Sequence, residues 1–257
     1  MLTNRYSMIK FFRRIRQKML AEKNFSRYLT YAIGEIILVV IGILIALQIN
    51  NWNEQRKANV LEIQTLKEIV SDLQDDLSSL ENDRALNHRG LESASIIREA
   101  LDNNQAYHDS LAFHFGEQDF NATYTLKTSG YDNLKGLGFQ IIANDSIRKS
   151  ITDLYASEYS FLKQREDLAM QRTYEYFSPR YIPYFKSIKP IDGARSKLRL
   201  YVPKDFEDLK SNQNFDILLD YIIQVKEDNL FTINEILLEI QRTLDLMNDY
   251  LKGINPD

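Results

Sequence analysis

A chain of 257 residues without cysteine has no disulfide, no thiolate metal ligand and no cysteine nucleophile. Its net charge of −4 is divided unevenly: the first 30 residues hold eight Lys and Arg residues and one acid, a net of +7, so the other residues carry −11. Because so acidic a body is repelled by phosphate backbones, we expect no nucleic-acid partner.

The basic N-terminal tail, residues 1–27, has the pattern of an amphipathic helix. Apolar residues recur in it at helical spacing, and the other faces carry Arg13, Arg14, Arg16 and Lys18. Such a helix is suited to lie on anionic lipid, so we predict that these four side chains contact membrane lipid. A tail that is basic only to set the membrane topology is the alternative.

An apolar run follows the tail, and we predict a transmembrane helix over residues 28–52. From Tyr28 to Ile49 the chain spans roughly 33 Å as a helix, enough for a hydrocarbon core of about 30 Å. Tyr31 and Trp52 lie where interfacial aromatic residues are usually found. A cleaved signal peptide would need small residues at alternate positions after the apolar run, and their absence favours an uncleaved signal anchor.

The charges that flank the apolar run predict its orientation. Eight basic residues precede it, whereas only Arg56 and Lys57 follow closely. Basic residues are retained on the cytoplasmic side of membrane helices. We therefore expect a cytoplasmic N-terminus and an acidic body, residues 53–257, outside the cytoplasm.

One carboxylate, Glu35, lies beside the apolar run. An ionisable group costs on the order of 2.5–3.5 kcal/mol at the centre of a bilayer and less near its edge. The carboxylate can reach the interface or pair with a cation of the tail. It can instead bond to another membrane helix, which Gly34, Gly42 and Ala46 would allow to approach closely. The third interpretation is a proton or cation site, as in single-pass subunits of ion-driven motors.

Beyond the membrane segment the pattern predicts a mainly α fold. Apolar residues at alternating spacings of three and four from Ile63 to Leu80 indicate a helix continuous with the membrane helix. Arg84 and Asn87 break its register, and it is expected to end near Asn103. Residues 105–144 contain a glycine cluster and should form an irregular connector.

The second half of the chain predicts two more long helices. The first begins at Asn144, a suitable N-cap, and runs toward Phe177. Prolines from Pro179 onward predict its end and a loop of about 25 residues, with a short extended piece and a brief helix at its close, namely Leu198–Val202 and Asp205–Asp208.

The last helix extends from Phe215 to Leu251, with one register slip after Val225. We expect an extramembrane antiparallel bundle in which this helix returns against the first.

Candidate chemistry is sparse. His88, His108 and His114 have no spacing typical of a metal site, and we expect them to be solvated or to lie at the edge of the core. Neither a nucleophile elbow nor a phosphate-binding loop occurs. We therefore predict no cofactor, no metal site and no enzymatic activity.

An aromatic cluster before the proline-rich loop is the remaining candidate site. It contains Tyr174, Tyr176, Arg180, Tyr181 and Tyr184. Aromatic residues and arginine dominate interface hot spots, so these residues could form a surface for a partner protein. Packing at the end of the bundle core is the alternative.

Several segments resemble a family of Bacteroidota single-pass membrane proteins catalogued as a domain of unknown function (6090). Its opening is similar to two stretches here, IKFFRRIRQKML and FSRYLTYAIGEIILVVIGILIALQINNWNEQRK. Its second recurring segment resembles YDNLKGLGFQIIANDSIRKSITDLY, and a third, weaker similarity covers DFEDLKSNQNFDILL. The resemblance implies an inner-membrane protein of a Gram-negative cell, with no assigned activity and no role for Glu35. Together with the orientation expected from the flanking charges, it predicts that the acidic body is periplasmic.

Three functional hypotheses remain open. In the first, the periplasmic bundle mediates protein association, as a scaffold or accessory subunit that binds a partner protein or another copy of the chain. In the second, the bundle is a sensor that relays ligand binding through the membrane helix. In the third, the protein is a subunit of an ion-coupled complex that uses Glu35.

Overall fold

A computed structural model describes residues 25–118, 124–191 and 199–254. Most of the basic tail, including the predicted lipid contacts Arg13, Arg14, Arg16 and Lys18, lies outside these ranges. The chain divides into two compact units, Met1–Val60 and Leu61–Asp257.

The described part of the first unit is helical throughout. It belongs to helix α1, which runs from Phe25 to Asp102 without interruption. Within the described ranges, α1 is the one helix long and apolar enough to cross a membrane. Its apolar side chains in this unit are exposed, with Leu38 73% exposed, which is unfavourable in water and favourable in lipid. The structure confirms the prediction that the apolar helix and the next helix are one.

The second unit is mainly α, as predicted. Seven helices after α1 and one antiparallel hairpin make up its described part. Two π-helical segments, Leu154–Glu158 and Thr173–Phe177, join consecutive helices. The elements are α2 Leu111–Glu117, α3 Ser129–Leu137, α4 Asp145–Asp153, α5 Tyr159–Arg172, α6 Ser178–Tyr181, β1 Phe185–Pro190, β2 Arg199–Pro203, α7 Phe206–Leu209 and α8 Gln213–Ile254.

Helix α8 runs antiparallel to the part of α1 in this unit. Near the start of this part, Glu62 accepts a hydrogen bond of 3.0 Å from the hydroxyl of Tyr250, which is close to the end of α8. Near the other end of α1, Arg98 pairs with Asp216, which is in the first turn of α8. The predicted return of the last helix against the first is therefore confirmed.

Side-chain caps begin two helices where the sequence predicts them. The Asn144 side chain accepts hydrogen bonds from the backbone N–H groups of Ser146 and Ile147, at 2.9 and 3.2 Å. Asp205 caps α7 in the same way. Such caps satisfy N–H groups that have no partner within the helix.

The predicted helix end at Pro179 is wrong. Pro179 lies in the first turn of α6, and the chain continues through a 3₁₀ turn, Ile182–Tyr184, before it becomes extended. A proline in the first turn of a helix removes an N–H that would have no helical partner, so it does not stop the helix. The extended chain begins at Phe185 instead.

The predicted irregular connector is more ordered than expected, because it contains α2 and α3. Gly130 lies against α1 so closely that a Cβ atom would be 2.9 Å from the backbone nitrogen of Ile69. Buried Asp72 accepts a hydrogen bond of 2.8 Å from the Gly130 N–H and two from the Ser129 hydroxyl. This part of the glycine cluster therefore reflects close packing.

Two apolar cores lie along the second unit. The first, which we call the aliphatic core, takes Leu66 to Leu80 from α1 and Ile233 to Met247 from α8. The second, the aromatic core, takes Ala94 to Leu101 from α1 and Phe215 to Ile222 from α8. Rings from shorter elements complete it, namely Phe115, Phe177, Tyr181, Phe185, Tyr201 and Phe206.

The hairpin covers one side of the aromatic core. β1 pairs antiparallel with β2, with Ile188 opposite Tyr201. β2 passes over α2 so closely that a Cβ atom on Gly116 would lie 1.7 Å from the carbonyl oxygen of Arg199. The predicted extended piece is therefore confirmed as β2, whereas β1 was expected to be loop.

Candidate ligand-binding site

Polar residues separate the two cores on the inner face of α1. Leu80 belongs to the aliphatic core and Ala94 to the aromatic core. The buried positions between them include Asp83, Asn87 and Gly90. Burying polar groups costs free energy unless they are paired. A buried polar layer between two apolar cores is therefore a candidate for a functional role.

The same change from apolar to polar occurs on the helices that face α1. On α8, Lys226 and Asn229 lie between the two cores, and on α5 the buried residue in this position is Glu166. We call six residues the polar layer: Asp83, Asn87, Gly90, Glu166, Lys226 and Asn229.

A cavity of about 400 Å³ opens at this layer. Its walls come from α1, α5 and α8, and Gln118 lies beside α1 at its edge. Small-molecule sites in proteins are commonly of this size and combine apolar walls with a few polar groups. The cavity is therefore the strongest candidate site in the described part of the second unit.

Helix α5 forms one wall with a stripe of alternating apolar and cationic residues. Phe161, Arg165, Leu168 and Arg172 are spaced i, i+4, i+7 and i+11, which places them on one face, and all four line the cavity. The guanidinium carbon of Arg165 lies 5.7 Å from the centre of the Phe161 ring. Neither arginine forms an ion pair within the described ranges.

Lys226 projects from α8 to the same cavity. Its side chain crosses α1 at Gly90, where a Cβ atom would lie 2.7 Å from the Lys226 Nζ. Only 7% of Lys226 is exposed, and in the described part of the chain its ammonium has no hydrogen bond or ion pair. Burial lowers the pKa of Lys226 to about 8, although the charge of Glu117 opposes this shift.

The end of α2 brings two more buried polar groups to this region. Glu117 accepts a hydrogen bond of 3.1 Å from Arg89 through Oε2, while its Oε1 has no partner in the part of the chain that the structure describes. The Gln118 amide donates to the carbonyls of Gly90 and His114, at 3.3 and 3.0 Å, and its Oε1 has no partner there either. Glu117 therefore acts on Lys226 through its charge and not through a direct bond.

Acidic groups lie on the other side of Asn87. Burial, with a contribution from the charge of Glu166, raises the pKa of Asp83 to about 6. Burial and the charges of Asp83 and Glu166 raise the pKa of Tyr124 to about 12. A small cavity of about 20 Å³ lies here, enough for roughly one water molecule.

The cavity is more cationic than the protein that surrounds it. Arg165, Arg172 and Lys226 line it, against one carboxylate, Asp228. The whole chain, in contrast, carries a net charge of −4. A cluster of cations in a partly desolvated cleft attracts anions.

The predicted site residues of the membrane helix lie on α1 in the first unit. No described residue outside the helix's own neighbouring backbone lies within 4 Å of the position that a Cβ atom would take at Gly34 or Gly42. Glu35 is half-buried and Ala46 is exposed. Their role in helix packing or ion pairing stays a prediction.

The aromatic cluster is divided between surface and core. Tyr174 is 70% exposed, and Tyr176 is stacked with Arg180, whose guanidinium carbon lies 4.0 Å from the ring centre. Tyr181 is fully buried in the aromatic core and donates a hydrogen bond of 2.7 Å to the carbonyl of Phe115. Tyr184 is half-buried and donates to the side chain of Asn212 at 3.4 Å. Tyr181 therefore packs in the core, while the exposed members remain a possible partner surface.

Metal-ligating side chains do not converge in the described ranges. No three His, Asp or Glu residues lie there in an arrangement that could hold a metal ion. The His114 Nδ1 instead lies 3.0 Å from the hydroxyl oxygen of Ser93, and burial lowers the pKa of His114.

The cavity was not predicted from the sequence, although two irregularities in the apolar pattern lie beside it. The register break at Asn87 and the slip after Val225 are the places where α1 and α8 contribute the polar layer. A lysine at a position of α8 that should face the core was the available signal. The α5 stripe gave none, because a mixed pattern of apolar and charged residues is also typical of a solvated helix face.

Comparison with known proteins connects the chain to one family. No curated protein and no solved structure matches it. A family model described as "Family of unknown function (DUF6090)" matches residues 35–186, more than half of the chain. The matched range contains the α1 and α5 walls of the cavity, while α8 and Lys226 lie beyond it. The chain belongs to this family of unknown function.

Proposed function

We propose that the protein is a single-pass inner-membrane protein whose helical domain lies in the periplasm and binds a small molecule. The observation that carries the proposal is the cavity of about 400 Å³, which is lined by buried Lys226, a side chain without a partner among the described residues. Among the described residues that line it there is no histidine and only one carboxylate, Asp228. We therefore propose a role in binding and not in catalysis.

The proposed topology has the N-terminus in the cytoplasm and α1 as an uncleaved signal anchor. It is supported by the net charge of +7 in the first 30 residues and by the retention of basic residues on the cytoplasmic side. Protease added to intact spheroplasts should then degrade the domain and leave the tail protected. Extraction from vesicles by an alkaline wash, or full protection from protease, would contradict this topology.

The proposed role of ligand binding is sensing. Helix α1 contributes Asn87 to the cavity wall and is the same helix that contains the apolar run. A ligand that changes the position of such an element can shift a conformational equilibrium. We propose that the basic tail passes this change to a separate partner in the cytoplasm.

A variant that fills the cavity tests the binding function. Ala169 lines the cavity, and Ala169→Trp should occupy much of it, while Ala156→Trp places the same ring on an exposed surface. The full chain in nanodiscs is screened against a library of small molecules by thermal unfolding. We expect compounds that raise the melting temperature of the wild type and of Ala156→Trp but not of Ala169→Trp. A screen without any such compound contradicts the proposal.

Self-association is a second function that the surface of α8 favours. Phe231 and Leu238 are exposed one heptad apart, and Ile217 is exposed two heptads before Phe231. Spacings of seven and fourteen residues place them on one face of the helix, and a single stripe can pair with itself in a two-fold interface. We propose a second copy of the chain as the partner.

Crosslinking in native membranes, followed by mass spectrometry, tests this second function. The wild type should give dimers that are lost in Phe231→Glu. A monomer in both proteins would contradict self-association, and crosslinks only to other proteins would assign the surface to a different partner.

A further inference from the structure

We propose that the cavity binds an amphiphilic anion, with a carboxylate or phosphate group that pairs with Lys226 and an aromatic or aliphatic body that packs against α5. The inference rests on the proposed binding function and names the chemical class of its ligand.

The position of the anionic group follows from Lys226. Lys226 is almost fully buried and is one of the residues that line the cavity, and its ammonium, beside Gly90, has no partner within the described ranges. Glu117, the acid whose charge acts on it, already accepts a hydrogen bond from Arg89 and forms no ion pair with Lys226. A buried charge is stable only when it is paired. An anion that enters the cavity would supply this pair, next to the amide of Asn87.

The glycine at the crossing of α1 and α8 keeps the lysine in this place. A methyl group at position 90 would overlap the Lys226 Nζ, and it would also be 3.1 Å from Cε. Glycine inside a helix is less favourable than alanine by roughly 1 kcal/mol. Gly90 therefore keeps open the space that a charged side chain occupies beside the cavity.

The apolar body of the ligand follows from the other lining residues. Phe161 and Leu168 are both about half exposed where they line the cavity, and Phe177, Ile222 and Val225 add apolar surface. Exposed apolar side chains in a concave site gain free energy when a ligand covers them. A small hydrophilic anion would leave this surface in water.

The spacing of the arginines argues for one principal anionic contact. Arg165 and Arg172 are seven residues apart on α5, which separates them by about 10.5 Å along the helix. Both side chains would have to bend toward each other over Leu168, which lies between them on the same face, to share a single headgroup. The arginines therefore attract an anion to the cavity, and Lys226 holds it.

Three matched probes separate the charge from the apolar body. Phenylpropionate has both, propionate lacks the ring, and phenylpropionamide lacks the charge. Each is titrated calorimetrically into the full chain in zwitterionic nanodiscs, with empty nanodiscs subtracted. We expect phenylpropionate to bind at least tenfold more tightly than either of the others. Phenyl phosphate and inorganic phosphate repeat the comparison and show whether the site favours phosphate or carboxylate.

Variants of the lysine test where the anion binds. Lys226→Met keeps an unbranched side chain only one atom shorter and removes its charge, so it should weaken phenylpropionate binding at least tenfold and leave phenylpropionamide binding unchanged. Lys252→Met makes the same change on the same helix at a side chain that is 78% exposed and should have no effect. Gly90→Ala keeps the charge but displaces the ammonium and should also weaken phenylpropionate.

Several results would overturn the inference. Propionate that binds as tightly as phenylpropionate would show that the site does not recognise an apolar body, and phenylpropionamide that binds as tightly would show that it does not recognise an anion. If Lys226→Met binds phenylpropionate with unchanged affinity, the anionic group does not contact Lys226. If only cationic compounds bind, and Ala169→Trp abolishes their binding, the amphiphilic anion is wrong while the binding function stands. If no compound is sensitive to Ala169→Trp, the binding function itself fails.

Discussion

The two cores of the helical domain are built in different ways. The aliphatic core lies mainly between long helices, whose apolar side chains repeat at helical spacing. The aromatic core is completed by short elements, in which Phe115 contacts the ring of Phe185 at 5.3 Å and that of Phe215 at 6.2 Å, both edge to face. Each ring buries a large area, so a few rings can fix elements too short to be stable alone. The aromatic core therefore depends more on each single contact.

The charged groups beside the aliphatic core differ from Lys226 in the polar layer. Beside that core, Asp76 accepts hydrogen bonds from the Lys127 N–H at 2.8 Å and from the Tyr159 hydroxyl at 2.6 Å. In the polar layer, Lys226 has no hydrogen bond or ion pair within the described ranges, although Glu166 in the same layer is paired with Lys163. The hydrogen-bonded carboxylate of Asp76 holds the connector on α1, whereas a buried ammonium without a pair lowers stability. Lys226 is therefore the group of the polar layer best explained by binding.

Gly116→Ala should have the largest effect, because it acts on the aromatic core. The added methyl group would overlap the carbonyl of Arg199 in β2, and a backbone contact cannot be relieved by a rotamer change. We expect a loss in the free energy of unfolding on the order of 3 kcal/mol, measured by chemical denaturation of the full chain in detergent.

Gly136→Ala is the matched control for this substitution. Gly136 lies in α3, and a Cβ atom there meets nothing within 4 Å. Alanine should be neutral or stabilise by up to about 1 kcal/mol. Equal effects of the two substitutions would show that the hairpin does not depend on its close contact with α2.

Asp72→Ala should destabilise the edge of the aliphatic core. It removes the acceptor of the Gly130 N–H and of the Ser129 hydroxyl, and a buried donor without a partner costs about 1–3 kcal/mol. Glu68→Ala is the control, because Glu68 is exposed and accepts one bond from the side chain of Asn133. Thermal unfolding of both variants should separate them, and a loss no greater than that of the control would contradict the role of Asp72.

The aliphatic core could be predicted from the sequence better than the aromatic core, because long helices form most of the first and short elements complete the second. Long amphipathic helices repeat their apolar residues many times, so α1, the helical run that begins at Asn144, and α8 could be predicted. β1 could not be predicted, because its few residues gain their stability from pairing with β2 and from contact with distant rings. The sequence also showed a register break at Asn87. It could not show that a cavity lies there, because the other walls of the cavity come from α5 and α8, which are distant in the chain.

Asp83→Asn should stabilise the protein at neutral pH. Burial raises the pKa of Asp83 to about 6, from 3.8 for the exposed group, so the folded state binds this proton more tightly than the unfolded state. The contribution of Asp83 to stability therefore falls as pH rises from about 4 to about 6, and it stays low at higher pH. Asparagine removes the buried charge, and we expect a gain on the order of 2 kcal/mol near pH 7.5 that vanishes below about pH 4.

Denaturation across this pH range, with Asp75→Asn as the control, tests the assignment. Asp75 is exposed on the same helix, so Asp75→Asn should change the free energy of unfolding near pH 7.5 much less than Asp83→Asn does. A gain for Asp83→Asn that is independent of pH would show that the charge of Asp83 is not the cause.

Gly90→Ala should have the smallest effect on stability, although it repeats the substitution proposed at Gly116. At Gly90 the added methyl group meets the end of the Lys226 side chain, which is flexible and can shift away, and alanine is the better helix former by roughly 1 kcal/mol. These two effects oppose each other, so we expect the free energy of unfolding to change by less than about 1 kcal/mol. Chemical denaturation of the two alanine variants side by side measures the difference. A loss at Gly90 as large as that at Gly116 would mean that the polar layer is packed as rigidly as the aromatic core, with no room for Lys226 to move toward a ligand.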